Sequence, residues 1–150
     1  MVKLTRNLLW GLGASLEVTE IVGNVFPDGA EPTYDALAQL AVRRVPLRQI
    51  AALFGRDICD AFNQAVQKRL GKLCEEAVAL SGPIEGVLST ARKAAATSTP
   101  DDAERCAEEL NRAVSTVVLR ARLVQNHYRL LQAAALAEAF QTVPWPPREE

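Results

Sequence analysis

The chain is poor in the residues that usually do chemistry. Its 150 residues include one histidine, one methionine and three cysteines, and aromatics make up 5%. A lone histidine leaves no Glu-x-x-His pair for a metal centre in a helical bundle, so no metal or other cofactor is expected. Cys59, Cys74 and Cys106 are odd in number, form no Cys-x-x-Cys pair and each fall on or near an apolar helical stripe. They read as small buried hydrophobes of a protein kept in a reducing compartment, here taken as the cytoplasm. No glycine-rich phosphate loop is present, and no serine, cysteine or lysine stands beside a plausible base in a motif. Apolar runs of about 18 residues are missing, which argues against a membrane-spanning helix. Sustained period-two alternation is missing too, which argues against strands. A net charge of −1 excludes a generally basic nucleic-acid binder but leaves room for a local basic patch.

What the chain does have is apolar content of 49%, mostly alanine and leucine, and this suits closely packed helices. A chain of this length buries about 70% of its unfolded surface, enough for a core without metals or disulfides. Prolines and glycines punctuate it into helices. Residues 4–26 read as a first helix, kinked near Gly11 and Gly13, with Phe26, Pro27, Asp28 and Gly29 as a turn. A second runs from Thr33 to Val45 and carries Tyr34, Leu37, Leu40 and Ala41 on one side. The third, Pro46 to Phe54, shows the i, i+3, i+4, i+7 pattern in Leu47, Ile50, Ala51 and Phe54, with Gly55 as its stop. A fourth, about Asp57 to Leu80, buries Ile58, Phe62, Ala65, Val66, Leu73, Ala77 and Leu80. Ser81, Gly82 and Pro83 open a fifth, whose inner face is Ile84, Val87, Leu88, Ala91 and Ala95; Thr97, Ser98 and Thr99 then turn the chain. The expected fold is all-α, a helical bundle or orthogonal array of five to six helices, with residues 1–142 as one domain and 143–150 as an extended proline-rich tail.

The C-terminal third, Thr99 to Thr142, organises the rest. Thr99, Pro100 and Asp102 supply a cap, a proline at the first helical position and an acid three residues after the cap. From Ala103 to Ala139 one apolar row advances in ten steps over 36 residues through Cys106, Leu110, Ala113, Val117, Ala121, Val124, Tyr128, Leu131 and Ala135. That 3.6-residue period belongs to a straight amphipathic helix. A second row, Leu119, Leu123, Leu130, Ala134 and Ala137, lies on roughly the opposite side at about 100° per residue. Such a helix would span about 63 Å, against about 40 Å for a compact globule of this length. Either it breaks near Gln125 to His127, or a second subunit covers the protruding end.

Three groups of residues are candidate sites. Leu119, Leu123 and Leu130, with Trp10 near the N-terminus, would bind a protein partner or a second copy. Trp10 sits among Leu4, Leu8, Leu9 and Leu12, with Lys3 and Arg6 nearby, a stretch that reads as mature chain rather than a secretory signal and as core cover rather than a membrane anchor.

The segment "LRQIAALFG" resembles the first half of a helix-turn-helix: Ala51 and Gly55 have the motif's four-residue spacing. Between Arg43 and Lys72 there are seven basic residues against Asp57 and Asp60, which gives the nucleic-acid alternative its contacts in Arg48, Arg56 and Lys68. Ile58, Phe62 and Val66 fall out of phase with that motif. Arg122 and His127 have an R-x4-H spacing that resembles the ribonuclease motif of HEPN-type helical bundles. The resemblance implies an arginine that holds phosphate and a histidine for acid-base work on a 2'-hydroxyl, usually across a dimer interface. A leucine, Leu123, follows the arginine where that family prefers a polar residue, and the two side chains converge only if the helix breaks between them. Glu75, Glu76, Asp101, Asp102, Glu104, Glu108 and Glu109 read as a solvated acidic face. The leading expectation is a non-enzymatic helical interaction protein, an adaptor or chaperone-like subunit, with a DNA-binding regulator and a HEPN-like ribonuclease as alternatives.

Overall fold

The computed structural model describes residues 2–97 and 99–147; the expectations for Ser98 and for the end of the tail from Arg148 lie outside them. The fold is all-α. Among the described residues seven helices follow in order: α1 (Arg6–Gly11), α2 (Leu16–Val25), α3 (Tyr34–Val42), α4 (Leu47–Leu53), α5 (Arg56–Val78), α6 (Ser81–Ala95) and α7 (Pro100–Thr142).

Hydroxyl side chains set several of the starts. The backbone N–H groups of Leu8, Val18 and Ala36 donate to the hydroxyls of Thr5, Ser15 and Thr33 at 3.0, 3.2 and 3.3 Å. Each cap satisfies a donor that the first helical turn leaves orphaned. At the start of α7 the Asp102 N–H donates to Thr99 Oγ1 at 3.4 Å, while the Thr99 hydroxyl donates to Asp102 Oδ2 at 2.8 Å. The 43-residue α7 then runs without a break through Gln125 to His127.

Two boundaries differ from the sequence reading. The expected helix over 4–26 divides into α1 and α2, because Gly13 takes a left-handed φ of 95° and Ser15 caps a new start. Leu4 itself is extended and exchanges two backbone hydrogen bonds with Ala30, at 2.7 and 3.0 Å. Helix α3 ends at Val42 rather than Val45, because Arg44 turns left-handed with φ 63° and the Val45 N–H returns to Leu40 O at 3.1 Å. The division of 4–26 alone makes seven segments where five to six were expected; the shorter α3 adds none.

The chain divides into two compact units. The first takes in Met1–Leu70 and Tyr128–Glu150, the second Gly71–His127. The first unit has a dense core. Leu4, Leu9, Val22, Leu37, Leu40, Leu47, Ile50 and Ile58 are buried there with Phe62 and, from the end of α7, Ala133, Ala135, Leu136 and Ala139. Phe54 stacks edge-on against both Phe140 and Trp145, so the start of the expected proline-rich tail is docked on the core. Glu138 of α7 is fixed against α5 by Lys68 Nζ at 2.6 Å and Arg69 Nη1 at 2.9 Å.

The second unit is built from the end of α5, all of α6 and α7 up to His127. Thr97 Oγ1 approaches Cys106 Sγ at 3.4 Å, and His127 Nδ1 lies 2.6 Å from Glu76 Oε2. None of its described residues is buried.

Candidate functional site

The first apolar row of α7 behaves in the second unit as an inner but incompletely covered face. Cys106, Leu110, Ala113, Val117, Ala121 and Val124 are all half-buried, whereas the same row becomes fully buried at Ala135 and Ala139 in the first unit. On α6, Val87 and Ala91 are half-buried while Ile84, Leu88 and Ala95 are exposed. Helices α6 and α7 with the end of α5 leave the stripe incompletely covered, since no described residue of the unit is buried.

The outcome is an open apolar groove of about 230 Å³ lined by Ile84, Val87 and Leu88 of α6 and by Val114, Val117 and Val118 of α7. Four of these six, Ile84, Leu88, Val114 and Val118, are among the exposed large hydrophobic side chains of the molecule. Val114 and Val118 belong to neither apolar row of the sequence reading. They are an i, i+4 pair lying between the rows, and that spacing was the available signal.

The second row does not run as one continuous exposed face. Leu119 and Leu123 are 62% and 57% exposed in the second unit. Leu130 and Ala134, in the first unit, are half-buried and Ala137 is buried there. Trp10 is 60% exposed at the rim of a separate 240 Å³ cleft with Arg6, Asn7, Leu16 and Thr19 in the first unit.

The helix-turn-helix segment has the expected local geometry. Ala51 is fully buried, and Gly55 makes the turn between α4 and α5 with φ 100°. The three basic residues differ in their surroundings, however. Arg48 is exposed on α4, Arg56 lies 3.7 Å from Asp60, and Lys68 is engaged by Glu138. Arg56 and Lys68, twelve positions apart on α5, point about 120° away from each other at 100° per residue. Arg122 and His127 are likewise not brought together, since an unbroken helix holds side chains five positions apart about 140° from each other. His127 faces Glu76 instead, a pairing across 51 residues that no local motif announces.

Glu138 is the carboxyl most clearly perturbed by its surroundings: hydrogen bonds from Lys68 and then Arg69 hold it below the usual carboxylate range. It is a structural tie on the first unit. Among the described residues no three His, Cys, Asp or Glu side chains group as a metal ion would need, and no helix is long and apolar enough to cross a membrane. All three cysteines are free. Contrary to the expectation of buried small hydrophobes, Cys74 is exposed and Cys59 and Cys106 are half-buried, because α5 and α7 lack cover on those faces in the second unit and at the edge of the first.

No protein-family model, no curated protein and no solved structure matches the chain.

Proposed function

We propose that the protein is a non-enzymatic helical interaction module, an adaptor-like subunit whose second unit binds another protein chain through α6 and α7. One observation carries this reading: the second unit exposes Ile84, Leu88, Val114, Val118, Leu119 and Leu123 and buries no described residue of its own. The groove residues form one apolar patch and Leu119 and Leu123 a second, about 140° round α7 from Val114 and Val118 respectively; exposed apolar patches of this kind mark association sites. The first unit, by contrast, is a closed core that can serve as the platform. Free thiols, one of them exposed on α5, suit a reducing, cytoplasmic setting.

Val118→Glu, in the groove between α6 and α7, tests the proposal. A carboxylate placed in an apolar contact costs several kcal/mol unless it is paired, but costs little at a residue that faces water. The variant should keep the helical signal of the native protein and its melting temperature in the dissociated state, yet run smaller in size-exclusion chromatography or lose a partner that co-purifies with the wild type. A native protein that is monomeric at every concentration, together with a Val118→Glu variant that loses its helix signal, would mean that Val118 is covered within the chain and would overturn the reading.

A further inference from the structure

We infer that the groove between α6 and α7 is covered by the same groove of a second copy of this chain, with α7 of one copy antiparallel to α7 of the other. The inference rests on the interaction reading above and names the occupant. It comes from how charge is distributed beside the groove. Along α7, Glu104, Glu108, Asn111, Ser115, Val118 and Arg122 follow at steps of four and three, so they form one stripe of the helix, and all six are exposed. The stripe is acidic at its N-terminal end, basic at its C-terminal end, and small or apolar between. It is also close to palindromic. Reversed on itself, it sets Glu104 opposite Arg122 and Asn111 opposite Ser115, while Val118 faces the Glu108 aliphatic stem beside Arg122. Opposed charges at both ends favour this register, and the parallel one would oppose like charges. Among the described residues Glu104 and Arg122 form no ion pair within the chain.

Helix α6 is compatible with the same two-fold. Thr97 meets Cys106 while Ile84 and Leu88 share the groove with Val114 and Val118, so α6 and α7 run antiparallel within the unit. On α6, Glu85, Leu88 and Arg92 form a stripe at steps of three and four, and reversing it sets Glu85 opposite Arg92 of the second copy. Two hairpins joined in this way make a four-helix layer in which the exposed Ile84, Leu88, Val114 and Val118 and the half-buried Val87 and Val117 gain the missing third side. A different two-fold, with α7 laid on α6 of the second copy, also opposes unlike charges, but pairs Glu104 and Glu108 with Arg92 and Arg122 with Glu85. The palindrome of α7 favours the α7-to-α7 arrangement, and the experiment separates the two.

Sedimentation equilibrium would be run on the full-length wild type, on Arg122→Glu, on Glu104→Arg/Glu108→Arg, and on an equimolar mixture of the two variants, with circular dichroism on each. The substituted residues are exposed, so helix content should be unchanged; Arg122→Gln serves as a milder second variant. The wild type should be a dimer. Each charge-reversed variant alone should weaken dimerisation by about tenfold or more, because like charges then face each other at both ends of the stripe. Mixing them should restore a dimer of wild-type strength. A mixture that stays dissociated would overturn the α7-to-α7 arrangement, since α7 laid on α6 leaves like charges opposed in the mixed pair. A wild type monomeric throughout would overturn the second copy as occupant. Binding of anilinonaphthalene sulfonate then distinguishes the two levels: dye bound by the monomer and lost in Val118→Glu retains the open-groove reading, and no dye binding removes that reading as well.

Discussion

The Phe54 ring meets the Phe140 ring edge to face, with centroids 4.9 Å apart and planes at 86°. This contact joins the end of α4 to the last turn of α7, and Trp145 closes on the other side of Phe54 at the same centroid distance and 75°. Removing a buried aromatic leaves a cavity that the surroundings only partly fill, so Phe54→Ala should lower the stability of the first unit by about 3 to 5 kcal/mol. Trp145→Ala, at a partly exposed position, should lower it by less. Urea denaturation of the two variants checks the order.

Acid should release one tie of that unit. Lys68 and Arg69 stabilise the ionised form of Glu138, so its folded pKa is below its unfolded one. Its contribution is present above the unfolded carboxylate range and is lost as pH falls through the lower folded value. Glu138→Gln should therefore be less stable than the wild type near neutral pH, with the difference closing in acid. Denaturation midpoints measured across that range check the sign.

Two glycines should respond oppositely to alanine. Gly29 has φ 80°, and a Cβ there would stand 2.7 Å from Thr5 Cγ2 and 3.2 Å from Leu4 O. Gly29→Ala should destabilise by roughly 1 kcal/mol or more. Gly71 lies within α5 with open space around it, so Gly71→Ala should stabilise by about 0.5 to 1 kcal/mol. Thermal melts of both variants provide the comparison.

Local signals were legible wherever one residue determines its own neighbourhood. Thr33, Gly55 and Thr99 mark a cap, a stop and a cap by their own chemistry, and α3, α4 and α7 begin or end beside them. The Thr5 and Ser15 caps that divide the first helix were equally local, but were masked by the apolar run from Leu8 to Leu16. The candidate surface was less legible for a different reason. Periodicity shows which face of a helix is apolar and not what lies over it. Ile84, Val87 and Val117 therefore read as core, whereas they line an open groove. The pairing of His127 with Glu76 depends on how α5 and α7 meet, which no short motif encodes.

Leucines on α7 should divide sharply by unit. Leu136 is fully buried in the first unit, so Leu136→Ala should cost about 2 to 5 kcal/mol in chemical denaturation. Leu119 is largely exposed, so Leu119→Ala should stay within about 0.5 kcal/mol in the dissociated protein. A large loss at Leu119 under dissociating conditions would mean that its side chain is covered within the chain.

Amide hydrogen exchange over residues 81–127, followed through a dilution series, tests the central claim most directly. A pair of helices without a buried residue has few contacts of its own to resist local opening. If a second copy covers the groove, protection of α6 and of α7 as far as His127 should rise with protein concentration, while the core helices α3 and α4 stay equally protected throughout. Protection of α6 and α7 that matches the core helices and does not change on dilution would contradict the account.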